Sequence, residues 1–145
     1  MPPDSTPPAV PAPTELKPPK PPKKVMLIDD SALYAESWRA VLLSRYGERI
    51  AFEAYQDPLK AIPHLSSEVD LLLLDLEMPV LDGRKIAALA QERGIPARRI
   101  VIVSARDADA LHRIFPSGTC LAVINKSEPA QQEAFLMILD SFMKR

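Results

Sequence analysis

From Lys24 onward, short apolar runs alternate with longer stretches of mixed polarity. Val25–Ile28 is apolar throughout and too short for a helix, which predicts a buried strand. From Ser31 the helical spacing of Trp38, Val41 and Leu42 predicts a helix of about fifteen residues with those side chains in the core. Ile50–Tyr55 alternates apolar with polar residues and predicts a second strand nearer a sheet edge. Asp57-Pro58 then supplies an N-cap and a proline at the first helical position. Asp70–Leu74 predicts a third strand, and Asp82–Arg93 a helix stopped by Gly94 and Pro96. Ile100–Val103 and Leu121–Ile124 predict the fourth and fifth strands. Between them Asp107–Phe115 reads as a short helix ended by Pro116, and Pro129–Met143 as the closing helix.

Strand and helix alternating in this way predict an α/β fold, with a parallel sheet covered by helices on both faces. Right-handed crossovers restrict the connections to doubly wound forms. In such sheets ligands bind in the crevice at the carboxyl ends of the strands. The residues expected there are Asp29 and Asp30 after the first strand, Asp75 after the third, Ser104 after the fourth, and Asn125-Lys126 after the fifth.

That set has a definite chemistry. Carboxylates brought together repel one another, and a hard divalent cation is the usual remedy. Mg²⁺ takes oxygen ligands and typically pairs protein carboxylates with phosphate oxygens. A carboxylate held there can act as a nucleophile toward phosphorus, giving an aspartyl phosphate. Phosphoryl transfer depends on positioning and on neutralising charge over the equatorial oxygens. Lys126 and the Ser104 hydroxyl are suited to two of those oxygens.

Composition adds boundaries to this picture. Ten of the sixteen prolines lie in residues 1–24, along with Lys17, Lys20, Lys23 and Lys24. That segment reads as a disordered, proline- and lysine-rich arm leaning toward polyproline II, with the folded domain occupying 25–145. The arm has a net charge of +2 and the remainder −3, which excludes the concentrated basic field of a general nucleic-acid binder. Cys120 is the one cysteine and cannot form an internal disulfide, so a reducing cytoplasm is expected and the residue reads as a small buried hydrophobe. The N-terminus lacks the apolar core of a secretory signal, and no apolar run approaches the ~20 residues needed to span a bilayer. His64 and His112 have no partners at metal-binding spacing.

Val-Met-Leu-Ile-Asp29-Asp30-Ser, Leu-Leu-Leu-Leu-Asp75-Leu-Glu-Met78-Pro79 with Asp82-Gly83, Ile-Val-Ile-Val-Ser104-Ala105 and Asn125-Lys126-Ser127 together resemble the receiver domains of two-component response regulators. The resemblance runs from about Lys24 to about Met143, in order and in spacing. It implies a flavodoxin-like, chemotaxis-regulator-like sheet of five strands in the order 2-1-3-4-5. It also implies that Asp75 accepts a phosphoryl group from a histidine kinase or histidine phosphotransfer protein, with Ser104 and Lys126 contacting that group. Mg²⁺ is the implied cofactor, held by Asp29, Asp30, Asp75 and the backbone carbonyl of Glu77. Such a domain is a regulator rather than a turnover enzyme, and signals through phosphorylation-dependent contacts with a downstream protein. The face of the fourth helix, fifth strand and fifth helix is a frequent partner or homodimer surface, which predicts Met137, Leu136 or Phe115 in an exposed apolar patch. Asn125-Lys126-Ser127 further resembles receivers that precede a DNA-binding output domain, but nothing in this chain implies direct nucleic-acid binding or membrane insertion.

Two positions depart from the family pattern. Val123 stands three residues before the lysine, where most receivers carry Tyr or Phe as part of a Ser/Thr-aromatic switch. Glu77 and Arg106 each lie two residues beyond a site residue, and an ion pair between them would restrict the attacking water and prolong the phosphorylated state. Alternatives of other classes stay open: a pseudo-receiver that serves as a constitutive interaction module, a hydrolase of small acyl phosphates, or a piece excised from a larger regulator.

Overall fold

The computed structural model describes residues 21–79, 81–106, 110, 111, 113 and 120–144. The predicted arm therefore lies almost wholly outside the described residues, as do His112, Phe115 and most of the helix expected over 107–115. Of that helix, Ala110, Leu111 and Arg113 have helical backbone.

Five strands form one parallel sheet: β1 (Lys23–Ile28), β2 (Ile50–Tyr55), β3 (Leu71–Asp75), β4 (Ile100–Ser104) and β5 (Ala122–Asn125). Their order is β2-β1-β3-β4-β5, the doubly wound arrangement expected from the sequence, with β2 at one edge. Between and after them run α1 (Ala32–Tyr46), the short α2 (Pro58–Ala61), α3 (Gly83–Glu92) and α4 (Pro129–Met143). Three of these helices start on side-chain caps. Ser31 Oγ accepts from the Tyr34 N–H at 3.1 Å, Asp57 Oδ1 from Leu59 N–H at 3.0 Å, and Asp82 Oδ1 from Arg84 N–H at 2.8 Å.

Alternation along the strands divides the core in two. Met26, Ile28, Leu72, Leu74, Ile100 and Ile102 face the side covered by α3, where Ile86, Ala90 and Ile95 pack. Val25, Leu27, Leu71, Leu73, Val101 and Val103 face the other way, against Ala35, Trp38 and Leu42 of α1 and Phe135 and Leu139 of α4. Both faces of the central strands are thus buried, which is why those strands read as unbroken apolar runs. Trp38 and Leu42 lie in the core as expected, and Val41 packs against it partly buried. Cys120 is half-buried against the α3-side core rather than enclosed, because it precedes β5 instead of lying within it. His64 stacks on Tyr55 with ring centroids 5.5 Å apart. No helix among the described residues is long and apolar enough to cross a membrane.

Parallel register brings the strand ends level. Ile28 pairs with Tyr55, Asp75 with Val103, and Ser104 with Asn125. The start of α3 presses directly on the end of β3. A Cβ on Gly83 would lie 2.6 Å from the Asp75 carbonyl oxygen and 2.8 Å from Leu76 Cα, both backbone atoms that cannot swing aside. Gly83→Ala is expected to destabilise the domain by about 1–3 kcal/mol through this overpacking. Urea denaturation checks this, and a variant as stable as the parent would contradict it.

Candidate phosphoryl-transfer site

The crevice at the carboxyl ends of β1, β3, β4 and β5 holds every candidate that the sequence placed there. Asp29, Asp75, Ser104 and Asn125 are buried, with 1%, 2%, 0% and 5% of their surfaces exposed. Asp30 is exposed at the mouth. One carboxylate oxygen from each of Asp29, Asp30 and Asp75 falls within 4.8 Å of the others. Lys126 Nζ reaches in from the turn after β5, 2.7 Å from Asp29 Oδ2 and 3.6 Å from Asp75 Oδ2.

Backbone contacts fix how these groups point. Asp29 Oδ1 accepts from the Ser31 N–H at 2.8 Å and Asp75 Oδ1 from the Glu77 N–H at 3.1 Å, which leaves the second oxygen of each facing the lysine. The Lys126 N–H donates to the Ser104 carbonyl at 2.8 Å, continuing the β4–β5 ladder past the strand end. Asn125 braces the same region: its Nδ2 donates to the Arg106 carbonyl at 2.9 Å and its Oδ1 accepts from Ser127 N–H at 2.8 Å. The Gln131 side chain on α4 accepts from the Asn125 N–H at 2.7 Å.

Two contacts were not foreseen from the sequence. The Tyr34 ring lies under the lysine, with Nζ 4.6 Å from its centroid, a favourable cation–π placement. The only prior signal was that Tyr34 lies one helical turn beyond the Asp29-Asp30 pair. The second concerns Glu77. It does pair with Arg106, at 2.5 Å, but its other oxygen accepts from the Ser104 hydroxyl at 2.9 Å. Spacing alone indicated the ion pair and not the hydroxyl.

Electrostatics mark the crevice as short of positive charge. Burial and then the charge of Asp29 push the Asp75 carboxyl up to about 7, against partial relief from the Glu77 N–H and Lys126. Burial also works against the Lys126 charge, but contact with Asp29 and the field of Asp75 outweigh it and raise its pKa. Three carboxylates with one ammonium leave an uncompensated negative site. Such a donor set, all oxygen and partly open, fits a hard divalent cation that keeps some of its waters.

Residues 25–134 match the model of the response regulator receiver domain, and the chain belongs to that family. Among curated proteins, a stretch of 63 residues is 40% identical to protein-glutamate methylesterase/protein-glutamine glutaminase 5 of Anaeromyxobacter dehalogenans. That stretch covers 43% of this chain and only 17% of the relative. Among solved structures, the CheY-like receiver of Methanospirillum hungatei superposes with a TM-score of 0.66 at 16% identity, covering 85% of this chain and 94% of that one. The response regulator domain of Thermotoga maritima CheB gives 0.64 at 18% identity, covering 85% and 95%. At these identities the structural likeness bears on the fold. This chain's own strand order, 2-1-3-4-5, is the flavodoxin-like arrangement that the resemblance implied.

The raised Asp75 pKa makes the stability of the domain depend on pH. Its folded pKa lies above the unfolded value of 3.8, so its contribution is most favourable below pH ~4 and is lost as pH rises through about 7. In metal-free buffer Asp75→Asn is therefore expected to gain on the order of 1–2 kcal/mol at pH 8 and almost nothing at pH 4. Thermal or urea unfolding at the two pH values measures it. An equal effect at both would refute it.

Proposed function

We propose that this receiver takes a phosphoryl group on Asp75 from the phosphohistidine of a sensor kinase or phosphotransfer protein. The observation that carries this reading is the placement of the buried Asp75 carboxylate beside the Lys126 ammonium at 3.6 Å, with the Asp29 and Asp30 oxygens close by. In the transfer, an Asp75 oxygen forms a bond to phosphorus as the phosphorus–nitrogen bond of phosphohistidine breaks. The bonding pair stays on the imidazole, and an acyl phosphate results.

The residues of the chain divide this work. The Glu77 N–H holds Asp75 Oδ1 at 3.1 Å, which leaves the Oδ2 side toward Lys126 for the incoming phosphorus. Lys126 neutralises one phosphoryl oxygen, and the Ser104 hydroxyl, at the end of the adjacent strand, serves another. Asp29, Asp30 and Asp75, with the Glu77 carbonyl, are the residues that would hold Mg²⁺. Bound there, the ion offsets carboxylate charge and supplies Lewis-acid stabilisation to the phosphoryl oxygens.

The domain then acts as a regulator rather than a turnover enzyme, since each acceptor carries one phosphoryl group. We place its output, a downstream protein or a second copy of the chain, on the exposed side of β5 and α4. Ile138 supports this assignment, 43% exposed and lying with Ala122 and Val123 of β5, whereas Met137, 71% exposed, lines a groove with Arg45 of α1. Leu136, also a candidate for that patch, is buried, because it falls on the stripe of α4 that packs toward α1. Phe115 lies outside the described residues.

Incubation with acetyl phosphate and Mg²⁺, followed by intact mass, is expected to add one phosphoryl group. Asp75→Ala or chelation of Mg²⁺ abolishes the addition, and Lys126→Ala lowers its rate by roughly tenfold or more, the scale for losing one charge-stabilising donor. A chain that takes no label and shows no response to beryllofluoride would instead be a constitutive interaction module.

A further inference from the structure

A carboxylate already occupies the Ser104 hydroxyl, one of the donors proposed for a phosphoryl group on Asp75. Glu77 Oε1 accepts from the Ser104 hydroxyl at 2.9 Å and from the Ala105 N–H at 3.3 Å, while Oε2 lies 2.5 Å from Arg106 Nε. Ser104 is fully buried, and its oxygen meanwhile accepts from the Arg106 N–H at 3.0 Å. A hydroxyl has one proton to donate. While Glu77 takes it, no phosphoryl oxygen can.

We propose that Glu77 is an internal phosphoryl surrogate: its carboxylate latches onto Ser104 and Ala105 in the unmodified protein, and the phosphoryl group on Asp75 must expel it. The inference rests on the reading of Asp75 as acceptor. Three observations fit an openable latch rather than a permanent brace. The Glu77 and Arg106 side chains are 35% and 52% exposed, so their ion pair is solvent-screened and contributes little alone. The firmer hold is the charge-assisted bond from the buried hydroxyl, and that is the bond a phosphoryl oxygen replaces in kind.

The backbone around the latch is tied down independently. Asn125 Nδ2 holds the Arg106 carbonyl at 2.9 Å, so the two side chains can part without unravelling the loop. There is also room for the displaced carboxylate. A groove of about 310 Å³ adjoins it, lined by Glu77, Met78, Asp82, Arg84 and Arg106 among others. Expulsion would uncouple Arg106 from Glu77 and alter the charge pattern beside the site. Such a change requires no aromatic side chain at Val123. The pair, which the sequence alone associated with a protected phosphorylated state, is on this view a restraint on the unphosphorylated one.

The test compares the parent chain with Glu77→Ala, Glu77→Gln and Arg106→Ala for beryllofluoride affinity in Mg²⁺, by calorimetry, and for the rate of phosphorylation by acetyl phosphate, by intact mass. Truncating Glu77 keeps its backbone carbonyl. Glu77→Ala is expected to tighten beryllofluoride and to speed phosphorylation by about tenfold, the scale of one hydrogen bond to a charged group. Glu77→Gln and Arg106→Ala should move both quantities the same way by less. If the parent is labelled on Asp75 but Glu77→Ala and Arg106→Ala leave both quantities unchanged or worse, the latch is wrong and the acceptor reading stands. If neither the parent nor any variant is labelled or binds beryllofluoride, both fall. Should Glu77→Ala not fold, judged by circular dichroism, Arg106→Ala decides alone by the same criteria.

Discussion

Like charges gathered at one end of a sheet are the constraint around which this domain is organised. Asp29 and Asp75 are both almost fully buried, and Asp30 stands at their mouth. Left alone, such a group would resist folding, since each buried carboxylate loses hydration and gains only repulsion from its neighbours. The structure relieves this in part. Backbone N–H groups take one oxygen of each buried acid, and a single ammonium from the β5 turn serves the others. What remains unrelieved appears as the raised Asp75 carboxyl. The site is stable enough to exist and retains uncompensated negative charge.

The remainder of the fold gives that tension a fixed geometry. Two apolar layers clamp the sheet, so the strands cannot slide in register without exposing a face to water. Register in turn sets which polar residue ends each strand. Gly83 allows α3 to begin against the backbone of β3, close to the acid's own carbonyl. Asn125 joins the loops after β4 and β5 through both ends of its amide. Arg45 and the buried Tyr46 on α1 meet Asp140 on α4, but the Arg45–Asp140 ion pair is partly exposed and contributes less to cohesion than the Trp38 and Phe135 packing beneath it.

Much of this was legible in the residues themselves. A parallel sheet buried on both faces writes its strands as plain apolar runs, so their ends were visible as the first polar residue after each run. The observed strands begin or end within a residue or two of those limits, and α4 spans the predicted Pro129–Met143. The less legible features depend on directions that a one-dimensional pattern does not carry. Glu77 is in a loop, where no period states which way a side chain turns. Tyr34 meets Lys126 because α1 crosses over β1 on the side to which the β5 turn also bends, a relation between elements 92 residues apart. Phe135, Leu136, Met137, Ile138 and Leu139 are all apolar, so composition alone could not separate the buried Leu136 from the exposed Met137. Cys120 does meet the apolar core, but as a residue preceding β5 it is only half-buried there, a degree of burial that its neighbours in sequence do not state.

The rings around Lys126 carry one more consequence. Tyr34 touches the ammonium on one side and stands edge-on to Trp38, at 6.4 Å, on the other; Trp38 in turn stands edge-on to Phe135 at 6.0 Å. Trp38 is the sole indole of the chain. Any rearrangement of the ammonium is therefore two ring contacts away from a single, shielded fluorophore. The protein contains its own optical probe, placed to sense events in the crevice from within the hydrophobic interior and without an attached dye.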